Sequence, residues 1–177
     1  MEKKRSIPPL PRGAIGRDNQ KFRRAWKRFF NRIHYPWFIT LNPNNPNIPP
    51  HILRECIGHF LARIDRRALG ANWSKKTTGR TRLVGVLERG MNGWHCHAKC
   101  RLPYYYSEIG QIWLQMILDG HWRAVMPSGS ANLKRVYRAD GLSHYITKQC
   151  WRPEFDDGVV IEAEFWPQGH RKNTNVN

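Results

Sequence analysis

Two histidines two residues apart are the part of this sequence best suited to chemistry. His95, Cys96 and His97 lie in a run of residues that is typical of a β-strand. Because side chains alternate between the two faces of a strand, we expect both imidazoles on one face and the thiol of Cys96 on the other. Imidazole is the commonest metal ligand in proteins, so the pair predicts a metal site.

Glu88 adds a possible third ligand. It ends a second predicted strand, 83–88, and a hairpin turn over 89–93 would bring it back beside the histidines. Two nitrogens and one oxygen suit a divalent ion such as Mn²⁺, Mg²⁺ or Zn²⁺, and they leave coordination positions open for substrate and water. Histidines also serve as ordinary hydrogen-bonded residues, and a His-x-His pair alone does not distinguish the two interpretations.

The histidine strand has one polar and one apolar face. Lys99 and Arg101 share the face of the two histidines, and the other face carries Cys96, Ala98, Cys100 and Leu102. Cations beside a metal site suit a substrate with phosphate groups. The four cysteines lack paired Cys-x-x-Cys spacing, so buried free thiols are expected rather than a disulfide framework or a zinc finger.

A predicted helix over 141–150 carries a possible nucleophile. Leu142, Ile146 and Cys150 fall on the side expected to pack on the sheet, and Tyr145 and Lys148 share another side. A tyrosine hydroxyl, with a pKa of about 10, needs help to act as a nucleophile at neutral pH. A metal-polarised phosphate and a nearby ammonium would supply that help. Taken alone, such a Tyr-x-x-Lys pair is more commonly an interface aromatic beside a solvated cation.

The charge of the chain points to a polyanionic partner. Its 177 residues carry 30 Lys and Arg against 13 Asp and Glu, a net charge of +17 and a pI of about 10.4. Such an excess attracts phosphate backbones in a salt-sensitive way. No apolar run approaches the about 18 residues of a membrane span, and no signal-peptide pattern opens the chain. A cytoplasmic protein without a membrane partner is therefore expected, and a non-catalytic nucleic-acid-binding module would already explain the charge.

The chain is expected to form one α+β domain with a central antiparallel sheet of about five strands and helices packed on it. We divide it into a basic N-terminal arm and helix (1–34), a main domain (35–167) and a polar tail (168–177). Periodicity and turn residues predict helices over 17–32, 50–69, 107–118 and 141–150, and strands over 35–43, 83–88, 94–102, 121–126, 132–137 and 159–166.

Three segments, in order, resemble the motifs of the HUH endonuclease superfamily. They are Phe38-Ile39-Thr40-Leu41-Asn42, then Glu88 with His95-Cys96-His97, then Tyr145-Ile146-Thr147-Lys148. The resemblance covers about 37–149 and is closest to the single-tyrosine replication initiators of rolling-circle plasmids and small single-stranded DNA viruses. In the usual relaxase layout the tyrosine precedes the histidines. Cys96, Ala98 and Lys99 depart from the bulky hydrophobic residues usual in that motif, and no helicase domain follows.

The resemblance implies a ferredoxin-like or RRM-like fold and a specific chemistry. His95, His97 and Glu88 would bind Mn²⁺ or Mg²⁺, and Tyr145 would attack a phosphodiester of single-stranded or hairpin origin DNA, assisted by Lys148. The products would be a 5′-phosphotyrosyl enzyme and a free 3′-hydroxyl, and the reaction would reverse to join strands. A host helicase and polymerase are the implied partners, and a plasmid, phage or other mobile element the implied source. Single-tyrosine transposases are similar in the same motifs and are the alternative.

Residues near the predicted site and in the basic helix are candidate DNA contacts: Thr40, Asn42, Lys99, Arg101, Tyr104, Arg23, Arg24 and Lys27. Bases stack on aromatic side chains, and the run 104–106 is the best candidate for that role. Trp113 is expected to pack in the core, because it lies on a helical apolar stripe.

Overall fold

An antiparallel sheet organises the chain, which a computed structural model describes at residues 19–137, 146 and 158–165. The elements are α1 (Asn19–Arg32), β1 (Trp37–Asn42), α2 (Pro50–Leu69), β2 (Arg82–Gly90), β3 (Gly93–Arg101), α3 (Gln111–Arg123), β4 (Ser130–Arg135) and β5 (Val159–Ile161). Short 3-10 helices occupy Trp73–Lys75, Tyr104–Tyr106 and Glu162–Phe165. The predicted α+β class, with five strands in the sheet, is confirmed.

The strand order is β4-β1-β3-β2-β5, and every neighbouring pair is antiparallel. β1 and β2 are therefore parallel to each other, joined through α2, with β3 between them. β3 and β4 repeat the pattern through α3, with β1 between them. These two interlocked units form the ferredoxin-like β-α-β-β-α-β arrangement, to which β5 adds an edge strand. The histidine-bearing strand β3 thus lies at the centre of the sheet.

The two faces of the sheet support different layers. On one face α2 and α3 pack over residues of alternating strand positions: Ile39, Leu41, Leu83, Leu87, Cys96, Ala98, Cys100, Ala131 and Leu133. The opposite face carries Val84, Val86 and Val159, which pack with α1 and with Ile146. The period-2 alternation predicted for β3 is therefore realised across the whole sheet. No helix in the described ranges is long and apolar enough to cross a membrane.

Helix α1 belongs to this fold through its aromatic stripe. Trp26, Phe29, Phe30 and Ile33 are buried against the sheet, and the Trp26 and Phe29 rings meet edge to face at 5.4 Å. The amphipathic pattern, which left open whether the helix docks on the core or on DNA, is resolved in favour of the core. Arg24 and Arg28 remain exposed on its outer side, so docking leaves these cations free to attract a polyanion.

Lys99 is buried and binds the end of α1, so its prediction as a DNA contact is wrong. Its side chain is 0% exposed, and Nζ donates hydrogen bonds to the carbonyl oxygens of Phe30 at 2.8 Å and Ile33 at 3.4 Å. These carbonyls end α1, where the helix dipole favours a cation. The face alternation was predicted correctly, but α1 covers this part of the face and excludes DNA from the ammonium.

Some predicted elements differ from the observed ones. Helix α2 has its predicted bounds, whereas α3 starts later and runs on to Arg123, where the strand 121–126 was wrongly predicted. Leu114, Leu118 and Trp122 recur every four residues in the core, so burial continues the helix past Gly120. Trp113 is 66% exposed, contrary to prediction. Of the predicted helix 141–150, all residues but Ile146 lie outside the described residues.

We expect Phe30→Ala to lower the free energy of unfolding by about 3–5 kcal/mol, because it removes a fully buried aromatic side chain that joins α1 to the sheet. Arg28→Ala, on the exposed side of the same helix, should change it by less than about 0.5 kcal/mol. Chemical denaturation followed by circular dichroism measures both values. Equal, small losses would mean that α1 does not contribute to the stability of the fold.

Candidate metal centre

The β2–β3 hairpin brings Glu88 to the histidines. Glu88 lies directly opposite His95 in the register, and the strands are joined through Met91 and Asn92. The turn needs glycine at residue 93, whose φ of +93° disfavours a side chain. A Cβ there would also lie 2.6 Å from Cα of Pro46, in the loop after β1. The absence of a side chain at Gly93 therefore lets the hairpin tip lie close to that loop.

Three possible metal ligands converge at this end of the sheet: Glu88, His95 and His97. One donor atom of each lies within 4.8 Å of the others, and Nε2 of His97 is 3.7 Å from Oε2 of Glu88. Two ligands each about 2.1 Å from one ion, at an angle of 90–120°, are about 3.0–3.6 Å apart. The group could therefore hold a metal ion after small side-chain rotations. Two imidazoles and one carboxylate are a donor set that leaves positions for substrate.

Thr40 and Phe38 orient His97 from the neighbouring strand. Thr40 is the register partner of His97, and its Oγ1 lies 3.0 Å from Nδ1 of the imidazole. With the proton on Nδ1 donated to this hydroxyl, Nε2 presents its lone pair toward Glu88. The Phe38 ring stacks on the imidazole at 5.7 Å with an interplanar angle of 15°. Such outer contacts fix the tautomer and ring orientation of a metal-ligating histidine.

His95 has a similar arrangement at the more open side of the site. Its Nδ1 lies 3.4 Å from the carbonyl oxygen of Gly93, and its ring meets that of His97 edge to face at 4.6 Å. A Cβ at residue 90 would come within 3.1 Å of the His95 ring, so Gly90 leaves room for it. Nε2 of His95 is thus available for an ion, and the half-buried side chain leaves a route for ligands.

The site is largely enclosed. Glu88 is 9% exposed and His97 5% exposed, and a carboxylate with so little water around it is a strong ligand for a cation. Cys96, between the histidines, projects to the opposite face, where burial raises the pKa of its thiol to about 12. That thiol stays protonated and is not a ligand, as the alternation predicted. Ile146, next to Tyr145 in the sequence, is buried on the same sheet face as the site.

The structure separates the predicted DNA contacts into groups. Thr40 is at the site, and Asn42 follows on the same face, with its Oδ1 accepting a hydrogen bond from the backbone N–H of Asn44. Arg101 is exposed beside Tyr35 at the opposite end of β3. Tyr104 is 80% exposed beyond that end. The extended stretch of β3 from His95 to Arg101 already spans about 20 Å, so Tyr104, beyond Arg101, does not line the candidate metal centre.

The remaining predicted site residues lie on α1 and on the predicted tyrosine helix, 141–150. Arg24 is exposed and Lys27 half-buried on α1, and Arg23 belongs to the same helix. Tyr145 and Lys148 lie outside the described residues. Their predicted roles therefore remain predictions.

Two residues of β4 on the site face were missed. Asn132 pairs with Thr40 and Lys134 with Phe38, and both are exposed. Directly paired residues share a face, so an amide and an ammonium extend the site toward the β4 side of the sheet. Alternation in β4 indicated that they share a face with each other. Their place beside Thr40 depends on strand pairing, which the local sequence does not encode.

In comparisons with known proteins, no family model, no curated protein and no solved structure matches this chain.

We expect Thr40→Val to weaken Mn²⁺ binding about 10- to 100-fold, because it removes the hydroxyl that orients His97 while keeping the side-chain shape. Thr40→Ser retains a hydroxyl and should bind within about threefold of the wild type. Electron paramagnetic resonance of free Mn²⁺ measures the affinity. Equal affinity for the valine variant and the wild type would show that this hydrogen bond does not tune the site.

Proposed function

We propose that the protein is a metal-dependent endonuclease and strand transferase that nicks and rejoins single-stranded DNA, with Tyr145 as nucleophile. The observation that carries the proposal is the convergence of Glu88, His95 and His97 on the central hairpin of a ferredoxin-like sheet. Thr40, from the first of the three motifs, touches the second motif through His97. The contact supports treating the motifs as parts of one site.

The proposed reaction is a transesterification. The Tyr145 hydroxyl oxygen forms a bond to phosphorus and loses its proton. The bond from phosphorus to the 3′ oxygen breaks, and that oxygen takes up a proton to become the free 3′-hydroxyl. A divalent ion held by the Glu88, His95 and His97 side chains, Mn²⁺ or Mg²⁺, would polarise the phosphate and neutralise its charge. The phosphotyrosyl bond conserves energy, so attack by a 3′-hydroxyl rejoins the strands without an external energy source.

The rest of the chain supports DNA as the substrate. The net charge of +17 favours a polyanion, and exposed Asn132 and Lys134 offer polar contacts beside Thr40. Ile146 packs on the site face, which is consistent with its neighbour Tyr145 serving this site. Lys148 would assist the tyrosine or the phosphate.

Replication initiation is the biological role that we propose for this chemistry, at an origin of a plasmid, phage or other mobile element. Unpaired DNA would come from a host helicase, from supercoiling or from a hairpin, and a host polymerase would extend the 3′-hydroxyl. A single-tyrosine transposase would use the same site, and the genes and DNA repeats next to the coding sequence distinguish the two. A non-catalytic DNA-binding module has no need for three converging metal ligands.

We expect the wild-type protein, incubated with Mn²⁺ and labelled single-stranded origin DNA, to form a covalent adduct that survives a denaturing gel. Tyr145→Phe should form none, because it lacks the nucleophilic oxygen. Tyr137→Phe, which alters an exposed tyrosine nearby in the sequence, should retain the adduct. An adduct in the Tyr145 variant, or its absence with every origin-derived strand tested, would refute the mechanism.

We expect His97→Ala to reduce cleavage at least about 100-fold while DNA affinity at low salt stays within about threefold of the wild type. The proposed role of His97 is to bind the metal, whereas DNA binding depends on the total charge of the protein. His59→Ala, on the exposed side of α2, is the matched control and should retain both. Fluorescence anisotropy measures binding, and gel assays measure cleavage. Parallel loss of both activities would indicate a structural role for His97.

A further inference from the structure

A groove between α2 and α3 lies on the side of the sheet opposite the metal centre. It has a volume of about 310 Å³ and is lined by Arg67, Tyr105, Tyr106, Met116, Ile117, Gly120 and His121. This volume is at the lower end of the range for small-molecule sites, about 300–1,000 Å³. The proposed strand transfer makes no use of these residues.

Two buried polar atoms lie beneath the groove. Tyr106 is 2% exposed, and neither its hydroxyl nor Nε2 of His121 has a hydrogen-bond partner among the residues that the structure describes. Both atoms lie below the accessible surface. A ligand in the groove would therefore meet the rings of Tyr106 and His121 and the exposed side chains around them, not these polar atoms.

The rim of the groove is positively charged and aromatic. Arg63 and Arg67 are exposed on α2. Burial, and after it the charges of these two arginines, lowers the pKa of His121, so its imidazole is neutral at pH 7. Tyr105 is half-exposed and packs edge to face on Tyr106 at 4.9 Å. An exposed tyrosine ring is a surface for base stacking, and arginine is the usual partner of a phosphate.

We propose that this groove binds one unpaired nucleotide, with its base on Tyr105 and its phosphate at Arg67. Ile117 and Met116, which also line the groove, would cover the apolar part of the base. The nucleotide is either free or part of a single strand of DNA. Because the groove and the metal centre lie on opposite faces of the sheet, this proposal does not depend on the proposed nicking activity.

The methionines allow a direct test by NMR of protein labelled with ¹³C at the methionine methyl groups. Met116 lines the groove, Met91 is exposed at the tip of the metal-site hairpin, and Met126 is buried and reports on folding. With a chelator present, dAMP should shift the Met116 signal saturably and leave Met91 and Met126 unchanged. Deoxyadenosine or inorganic phosphate alone should bind at least about fivefold more weakly.

A short single-stranded oligonucleotide distinguishes the two sources of the nucleotide. Saturation of the Met116 shift at a lower concentration than with dAMP assigns the groove to a DNA strand. Saturation with dAMP alone assigns it to a free nucleotide. The Tyr145 adduct is assayed separately, so failure of either proposal leaves the other measurable.

Variants identify the contacts. Tyr105→Leu and Arg67→Gln should each weaken dAMP binding at least about fivefold, by removing the stacking ring or the cation. Arg66→Gln, an exposed neighbour that does not line the groove, should bind like the wild type. The proposal is overturned if nucleotides leave Met116 unshifted, if phosphate alone binds as well as dAMP, or if Tyr105→Leu binds normally. A shift produced only by an acidic amphipathic peptide would also overturn it, in favour of a protein partner.

Discussion

The register of β1, β3 and β2 is the constraint on which the candidate site depends. It sets Glu88 opposite His95 and Thr40 opposite His97. The three candidate ligands and the hydroxyl that orients His97 therefore lie on one face. A slip of one residue in either pairing would turn Glu88 or Thr40 into the apolar core. Ile39 and Leu41, buried under α2 and α3, oppose such a slip because it would expose them. The hydrophobic packing of one face therefore maintains the polar geometry of the other.

The sheet face that carries the candidate site has two halves, one covered by α1 and the other exposed. Helix α1 covers the half of the face around Val84 and Val86 and draws Lys99 to its C-terminal carbonyls. The half toward β4 remains open, with Asn132 and Lys134 exposed. The proposed single-stranded substrate would therefore approach from the β4 side. The same alternating row on β3 thus provides candidate metal ligands at one end and, in its middle, the cation that binds the end of α1.

Aromatic residues that look alike in the sequence occupy different environments. Trp122 is fully buried and donates from Nε1 to the carbonyl oxygen of Asn42, while Trp113 is exposed on the outer side of the same helix. Tyr105 and Tyr106 are adjacent in the chain, yet the first is half-exposed and the second is buried. The outcome depends on which side of each helix meets the sheet. It leaves a basic, aromatic surface on the layer remote from the metal centre.

Local patterns in the sequence determined the faces and most of the elements, because period-2 and period-3.6 repeats of apolar residues specify which side of a strand or helix is buried. The helix 50–69, the polar and apolar faces of β3 and the grouping of His95 with His97 were predictable on that basis. Tertiary structure decided the role of Thr40, the burial of Lys99, the length of α3 and the position of Asn132. Each of these depends on contacts between residues distant in the chain: which strands pair, and what α1 covers. No local pattern encodes those pairings, since their free energy comes from burial in the assembled core.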